Sequence, residues 1–120
     1  KKEIQESKKS RVLNSEVSKK INPILRKIVS TKEGTANFAN IDGYQVGGKT
    51  GTAQKSFNGV YSKNKINTFV AVFPISKPKF ILLVLLDEPK PNKDYIYHYM
   101  NPILPLIIGQ FFLLTPVAAK

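Results

Sequence analysis

The first repeating hydrophobic pattern in the chain, NSEVSKKINPILRKIVSTKEG, is helical. Its apolar positions recur at steps of three and four, which places them on one helix face; they are Val17, Ile21, Ile24, Leu25, Ile28 and Val29. Ser15 is a suitable N-cap, Glu16 suits the first turn, and Gly34 marks a C-terminal stop. Pro23 interrupts the pattern, because an interior proline costs a helix about 3 kcal/mol. The continuous stripe favours one kinked helix; alternatively, Asn22 and Pro23 begin a second helix.

Beyond this helix the pattern becomes that of β-strands. Residues 44–55 combine β-branched residues with glycine, and Asn58-Gly59 is a strong hairpin signal. Residues 68–75 and 80–87 form two more predicted strands, and their short connection makes them antiparallel. Their centres are apolar at successive positions, which is typical of strands covered on both faces. The pattern therefore predicts an α+β fold, with a helix packed on an antiparallel sheet.

The two ends of the chain differ in character. Residues 1–11 are charged and are predicted to be a linker or frayed end, so that residues 12–120 form one partial domain. Residues 100–119 carry no charge, over a length that would suit a membrane span. Several residues argue against one regular helix there; they are Pro102, Pro105, Gly109, Gln110 and Pro116. We therefore predict a segment that packs on the core rather than a span.

Composition narrows the range of partners and chemistry. The chain has 120 residues, of which 42% are hydrophobic and 22% charged, as in ordinary globular proteins. Its net charge of +11 suits nucleic acid, anionic lipid or an anionic cell-wall polymer. Because the lysines are scattered, codon bias explains the charge better, and a nucleic-acid-binding module is only an alternative. The absence of cysteine and the single histidine, His98, exclude thiol catalysis and multi-histidine metal sites. No metal or cofactor is predicted.

The stretch GYQVGGKTGTAQ, residues 43–54, fits two motifs that need different structures. Residues 43–50 match a phosphate-binding loop, whereas Lys49-Thr50-Gly51 is the K-T-G triplet of penicillin-recognising serine enzymes. A phosphate loop needs a buried strand before it and a helix straight after the threonine. The preceding TANFANID is a poor strand, and a hairpin turn follows the motif closely. A P-loop nucleotide-binding module is therefore only an alternative.

As part of a strand, the K-T-G segment has properties that suit a substrate site. Gly48 and Gly51 leave the backbone bare for a ligand or another chain, so a side chain at Gly51 should block ligand approach without harming the fold. Lys49 supplies a cation for a substrate carboxylate. Strand alternation places Lys49 and Gly51 on one face and Thr50 and Thr52 on the other. A backbone N–H of such a strand can serve an oxyanion hole.

Three longer stretches together resemble a known family: GYQVGGKTGTAQK, FVAVFPISKPKFILLVLLDEPK and the upstream EVSKKINPILRKIV with its following GTA. The resemblance is to the C-terminal part of the transpeptidase domain of class B penicillin-binding proteins, the peptidoglycan D,D-transpeptidases of division and elongation. It runs from about Arg11 to Pro89, and G-K-T-G-T-A-Q is its most specific element. It implies the C-terminal portion of a β-lactamase/transpeptidase-like domain.

The resemblance implies a role for each residue of the motif. Lys49 matches the lysine that orders the active-site hydrogen bonds and attracts the substrate carboxylate. Thr50 and Thr52 match residues whose hydroxyls contact that carboxylate or the carboxylate of a β-lactam. The Thr52 amide matches an oxyanion-hole donor, and Gly51 matches the position left bare for the ligand.

The resemblance also implies what is missing. The family's nucleophile motif S-x-x-K and its S-x-N motif lie upstream of K-T-G, and neither is in place here. Ser62–Lys65 and Ser76–Lys79 fit the letters, but they follow K-T-G and are rejected. The chain is therefore expected to be inactive alone, as part of a longer enzyme.

The parent enzyme implied by the resemblance acts on peptidoglycan stem peptides and is trapped by β-lactams. It lies on the periplasmic face of the bacterial inner membrane, with membrane proteins of division or elongation as partners and no nucleic acid. Outside the motif, His98 is expected to be a surface residue and Asp87-Glu88 a solvated turn.

Overall fold

The computed structural model of the chain describes residues 10–90 and 95–114. Helix α1 spans Ser15–Ser30 and continues through Pro23, so the prediction of one helix is confirmed. Its N-cap is Asn14 rather than the predicted Ser15. The Asn14 side chain accepts a hydrogen bond from the amide of the second helical residue at 3.1 Å, which satisfies one of the unpaired amides of the first turn.

The C-terminal end of α1 is closed by the segment that follows it. The Thr31 hydroxyl donates to the Lys27 carbonyl at 2.8 Å, and the helix ends before the predicted stop at Gly34. Gly34 instead allows the chain to fold back over the helix, where the Ala36 amide donates to the Ile28 carbonyl at 3.3 Å. A Cβ on Gly34 would collide with that same carbonyl oxygen, so only glycine permits this close approach.

Three strands form one antiparallel sheet in the order β1-β2-β3. They are β1 (Gly47–Phe57), β2 (Val60–Phe73) and β3 (Phe80–Asp87). Asn58 and Gly59 connect β1 to β2 with φ angles of 52° and 78°. Two positive φ angles are those of a type I′ turn, whose twist matches that of the flanking strands. The hairpin predicted from Asn-Gly is therefore confirmed.

The pairing of β1 with β2 is regular where the K-T-G motif lies and irregular beyond it. Register is continuous over Gly47–Gln54 and shifts between Gln54 and Ser56, where Lys55 alone lies opposite residues 62–64, so the extra residues of this bulge are on β2. On its other side β2 pairs with β3 without a shift, over Ile66–Phe73.

The hydrophobic core unites one face of the sheet with the short 3₁₀ helix Asn37–Ala39 and with helix α2 (Tyr95–Leu114). The aromatic rings of Phe38 and Phe69 meet edge to face, with centroids 5.1 Å apart. The buried apolar residues of this core are Val29, Ala36, Phe38, Ala39, Val46, Phe69, Ala71, Phe73, Met100, Leu104 and Ile108.

Helix α2 is one helix despite Pro102 and Pro105, so the expectation that the prolines prevent a regular helix is wrong. Both prolines are exposed, where water can reach the carbonyls that they leave without an amide partner. Met100, Leu104 and Ile108 recur every four residues and are buried, which confirms the predicted core packing. No helix in the described ranges has the length and apolar character needed to cross a bilayer.

The second face of the sheet is open along β3 and on the adjoining part of β2 in the part of the chain that the structure describes, whereas Gly47 at the start of β1 is buried against α1. Ile81, Leu83 and Leu85 on β3 are 76%, 60% and 54% exposed, and Val70 on β2 is exposed beside them. The prediction that these strands are covered on both faces is therefore wrong for the described residues. An apolar run shows which surface is suited to burial, but it does not show which part of a molecule supplies the cover.

Candidate active site

The K-T-G motif lies on the edge strand of the sheet. Because the strand order is β1-β2-β3, β1 pairs on one side only within the described residues. Alternate backbone N–H and C=O groups on its outer side are therefore available to an extended ligand. Lys49–Thr52 sits in the regular part of this strand, and no helix begins at the threonine. That arrangement excludes the phosphate-binding loop.

The two faces of the strand carry different groups, as predicted. Since the register is continuous through the motif, Lys49 and Gly51 share one face and Thr50 and Thr52 share the other. The threonine face is that of the buried Phe69, and the lysine face is the open one. A ligand along the strand edge can therefore meet a cation on one side and two hydroxyls on the other.

Lys49 is exposed, and its Nζ donates to the carbonyl of Thr50 at 2.7 Å. The side chain thus lies along its own strand and keeps two of its three N–H donors for other acceptors. No carboxylate among the described residues lies within ion-pair distance of Lys49. Its positive charge is available to an anionic ligand.

The two hydroxyls of the motif have different partners. The Thr50 hydroxyl lies 3.3 Å from the hydroxyl of Thr35, which belongs to the segment that folds back over α1. The Thr52 hydroxyl accepts a hydrogen bond at 3.0 Å from the side-chain amide of Asn67, its cross-strand neighbour on β2. Asn67 is the buried polar side chain of the described core.

The glycines of the motif are held small by the sheet itself. A Cβ on Gly48 would lie 2.6 Å from the Val70 carbonyl oxygen and 2.7 Å from the Phe69 ring. A Cβ on Gly51 would lie 2.5 Å from the Thr68 hydroxyl oxygen. This close atom is the end of the Thr68 side chain, which can rotate away, whereas the neighbours of Gly48 include backbone; the expectation that the fold survives a side chain at Gly51 therefore stays a prediction.

Helix α1 holds the entry to β1 through two polar side chains one turn apart. Arg26 donates to the Val46 carbonyl at 2.8 Å and to the Asn40 side chain at 3.2 Å. Asn22 donates to the Ile75 carbonyl, just beyond the end of β2, at 3.3 Å. Sequence reasoning missed both residues. Their signal is a pair of polar residues four apart beside the apolar stripe of a helix.

An ion-pair cluster joins β1 to the end of β3. Lys55, on β1 opposite the bulge of β2, reaches Asp87 at 2.9 Å and Glu88 at 2.8 Å. Hydrogen bonds to Glu88 and then to Asp87 raise the pKa of Lys55. Hydrogen bonds from Lys55 and then from Asn64 lower the pKa of Glu88. The predicted turn at Asp87-Glu88 is solvent-exposed, as expected, but it is also ion-paired to β1.

Neither of the two segments rejected as nucleophile motifs belongs to the strand that carries K-T-G. Ser62 belongs to β2, where its hydroxyl oxygen accepts a hydrogen bond from the Asn64 amide at 3.2 Å, and Ser76 lies in the turn that follows β2. The backbone of His98 lies in α2, but its side chain is outside the described residues, as is most of the predicted linker 1–11.

Comparison with known families decides what this edge strand belongs to. The family described as the penicillin binding protein transpeptidase domain matches residues 2–109. The chain belongs to this family. The match covers most of the chain and includes α1, the sheet and most of α2. The class B penicillin-binding protein predicted from the resemblance of three stretches of the chain is thereby confirmed.

Relatives of the transpeptidase domain include proteins from a green alga and a bacterium. The peptidoglycan D,D-transpeptidase FtsI homolog of Chlorokybus atmophyticus is 37% identical over 100 residues, which is 82% of this chain and 14% of that protein. Stage V sporulation protein D of Bacillus subtilis is 42% identical over 83 residues, which is 68% of this chain and 12% of that protein. The chain thus spans about a seventh or less of these relatives.

Solved transpeptidase structures show the same fold. The transpeptidase domain of Burkholderia pseudomallei penicillin-binding protein 3 matches 90% of this chain and 33% of its own, with a TM-score of 0.76 and 28% identity. Penicillin-binding protein 3 of Mycobacterium tuberculosis, solved in complex with ampicillin, matches 92% of this chain and 28% of its own, with a TM-score of 0.73 and 26% identity. The predicted fold class is confirmed.

Proposed function

We propose that this chain forms one wall of the acyl-transfer site of a peptidoglycan D,D-transpeptidase. The observation that carries the proposal is the arrangement of β1, an edge strand with a cation on one face and two hydroxyls on the other. A peptide that ends in a carboxylate matches such an edge, because its backbone can pair with the strand while its charge meets Lys49.

Each residue of the motif has a role in this proposal. Lys49 attracts the carboxylate of the stem peptide and orders the hydrogen bonds around the reacting serine. Thr50 and Thr52 donate their hydroxyl protons to the same carboxylate. The backbone amide of Thr52 is one donor of the oxyanion hole, and Gly51 allows the acyl donor to lie close to the strand.

The proposed reaction is a serine acyl transfer. A serine and a lysine from elsewhere in the parent enzyme act as nucleophile and base, since neither motif is in place in this chain. The serine oxygen attacks the carbonyl of the D-Ala-D-Ala bond, and the terminal D-Ala leaves with a proton. The acyl group of the resulting ester then passes to the amine of a second stem peptide, and the released serine oxygen takes up the proton that the amine loses. In a β-lactam the leaving group stays tethered, so the ester persists.

We also place the parent enzyme on the periplasmic face of the bacterial inner membrane, with membrane proteins of division or elongation as partners. Relatives named peptidoglycan D,D-transpeptidase FtsI homolog support peptidoglycan as the substrate of the parent enzyme. No nucleic-acid partner is proposed.

The test uses a chimera in which residues 11–114 replace the matching part of the Burkholderia pseudomallei transpeptidase domain, which supplies the nucleophile. Fluorescent penicillin should acylate the chimera. Lys49→Ala should slow acylation at least about tenfold, which corresponds to about 1.4 kcal/mol of transition-state stabilisation. Lys63→Ala, at an exposed lysine on β2, is the matched control and should leave the rate unchanged. An acylated chimera that is indifferent to Lys49→Ala would refute the proposal.

The 120-residue chain alone should form no covalent adduct with penicillin, and intact-mass spectrometry measures this directly. A stoichiometric adduct on Ser62 would show that a nucleophile had been rejected wrongly.

A further inference from the structure

Asn67 is an unusual residue for its position. It lies on the core face of β2, and its neighbours on that face of the strand are Phe69 and Ala71. Only 1% of its surface is exposed. Its side-chain Nδ2 donates to Thr52, but its Oδ1 is buried and accepts no hydrogen bond from the described residues. A buried polar atom without a partner costs about 1–3 kcal/mol, so an apolar residue would suit the core better.

The hydrogen bond from Asn67 determines what the Thr52 hydroxyl can do. An amide NH₂ group can only donate, so the Thr52 oxygen must be the acceptor. The hydroxyl proton is then directed away from Asn67. Thr52 is exposed on the edge strand, so this proton is available to a ligand. Thr50 differs, because its partner is the Thr35 hydroxyl, which can donate or accept and therefore fixes no direction.

We infer that Asn67 is a positioning residue that holds the Thr52 hydroxyl as a donor to the substrate carboxylate. The inference rests on the proposed function, and it adds a residue outside the K-T-G motif that tunes selectivity for carboxylate-bearing ligands. Asn67 does not touch the substrate. It acts through the orientation of one hydroxyl, and the unpaired Oδ1 is the stability cost of that orientation.

A substitution that keeps the branched shape of the side chain separates this role from a structural one. Asn67→Leu removes the donor to Thr52 and also removes the unpaired buried oxygen. The melting temperature of the chimera should therefore stay the same or rise. Acylation by benzylpenicillin should nevertheless slow about tenfold, because hydrogen bonds to charged groups are the strong ones. A merely structural asparagine would lose stability and activity together.

Two comparisons make the effect specific. Acylation by the methyl ester of benzylpenicillin, which has no free carboxylate, should change less than about twofold in Asn67→Leu, since no charged acceptor remains for the hydroxyl. Asn101→Leu makes the same chemical change at an exposed position of α2 and should leave both rates unchanged. Thr52→Val should reproduce the pattern of Asn67→Leu, and the double variant should be no slower than Thr52→Val.

The outcomes distinguish this inference from the proposed function. If Thr52→Val slows acylation by benzylpenicillin and Asn67→Leu does not, the inference is overturned and the proposed function stands. Equal slowing with benzylpenicillin and its ester also overturns the inference. If Thr52→Val has no effect, the proposed role of Thr52 is refuted, and the inference that depends on it is overturned as well.

A measurement on the unmodified 120-residue chain tests the contact without the chimera. In the ¹⁵N-labelled chain, Thr52→Val should move one side-chain amide proton of Asn67 upfield and speed its exchange with water, because its acceptor is gone. An Asn67 side-chain signal that is identical in both proteins would overturn the inference.

Discussion

Gly48 and Gly51 stand on opposite faces of β1, and each is kept small by a different neighbour. Gly48 lies against the Phe69 ring and the Val70 carbonyl, which are rigid parts of the sheet. Gly51 lies against the end of the Thr68 side chain, whose hydroxyl also donates weakly to the Gly51 carbonyl at 3.5 Å. A substitution at Gly51 therefore affects the fold before any ligand arrives.

We predict that Gly51→Ala lowers the free energy of unfolding of the chain by about 0.5–1.5 kcal/mol, because the Thr68 hydroxyl must rotate away and give up its hydrogen bond to the Gly51 carbonyl. The added Cβ displaces the Thr68 hydroxyl, so Thr68→Ala in the same chain should restore most of the loss. Urea unfolding followed by circular dichroism measures both changes.

Gly109→Ala is the matched control for that experiment. Its Cβ would meet nothing within 4 Å, and alanine favours a helix over glycine by about 1 kcal/mol. The control should therefore stabilise the chain. If Gly51→Ala were neutral, the packing explanation would be wrong, and Gly51 would be small only for a ligand.

At the scale of residues, the sequence predicts which side chains share a face of a strand. It does not predict which residues of other strands or helices lie beside them, because that depends on how the elements pair. The two faces of Lys49–Thr52 were predictable because neighbouring side chains in a strand point to opposite sides. Asn67 and Arg26 were not, because nothing in their local sequence shows that they lie beside Thr52 and Val46. Such partners become visible only when the strand pairing and the helix position are known.

At the scale of elements, α1 holds neighbouring ends of two strands in place. Arg26 binds the backbone just before β1 and Asn22 binds the backbone just after β2, so one helix face fixes neighbouring ends of two paired strands. In addition, the Ile75 backbone amide donates a hydrogen bond to the Gln45 carbonyl at 2.7 Å. The entry to the K-T-G strand is therefore defined by a helix that precedes it in sequence.

We predict that Arg26→Leu loosens the start of β1 while α1 persists. The Val46 carbonyl loses a charged donor, which is worth about 1.5–3 kcal/mol. Hydrogen exchange monitored by NMR should show faster exchange for the amides of Gly47 and Gly48 and unchanged exchange within α1.

Lys27→Leu is the neighbouring control, because the Lys27 side chain is exposed and only its backbone carbonyl caps the helix. It should leave the exchange of β1 unaltered. Equal exchange at Gly47 in Arg26→Leu and in the unsubstituted chain would show that Arg26 does not hold the start of β1.

The ion-pair cluster of Lys55 with Asp87 and Glu88 contributes to stability in a pH-dependent way. The pKa of Glu88 is lowered from 4.5, so its contribution to stability is present above pH 4.5 and is lost as the pH falls through the lowered value. The pKa of Lys55 is raised from 10.5, so its contribution is present below pH 10.5 and is lost only in stronger alkali. The cluster is therefore intact across the neutral range and fails in acid.

We predict that Lys55→Met lowers the melting temperature at neutral pH and that the difference from the unsubstituted chain shrinks as the pH falls below 4.5. The groups are exposed, so molar salt should narrow the difference as well. Thermal unfolding at several pH values measures it. Lys63→Met, at a lysine without an ion pair among the described residues, should show no such trend. A difference that is constant with pH would contradict the role of the cluster.

The elements themselves were predictable where a short signal decides the geometry. Asn58-Gly59 sufficed for the first hairpin, because a type I′ turn accepts few other pairs. Helix α2 was missed, because proline rules describe an average environment, whereas Pro102 and Pro105 both lie on its exposed side. The burial of Met100 and Leu104 on the opposite side outweighs the hydrogen bonds that the prolines remove.

At the scale of the whole molecule, a high charge and an open apolar surface oppose each other. The net charge of +11 keeps copies of the chain apart. The open sheet face brings them together, since contiguous exposed apolar side chains are association sites. Part of α1 is also apolar and exposed, since Val17, Ile21 and Ile24 of the predicted stripe are at the surface.

We predict that the chain self-associates through the open face of the sheet, and that salt promotes the association. Salt screens the repulsion between copies over a Debye length of about 10 Å at 0.1 M and less at higher concentration, whereas it leaves the apolar attraction in place. Leu83→Lys puts a charge at the centre of the face and should keep the chain monomeric at salt concentrations where the unsubstituted chain associates. Because Leu83 is 60% exposed, the substitution should change thermal stability little.

Val60→Lys, at an exposed residue beside the hairpin turn, adds the same charge elsewhere and should still permit association. Sedimentation velocity at low and high salt distinguishes these cases, and equal association of the Leu83→Lys and Val60→Lys variants would show that another surface brings the copies together.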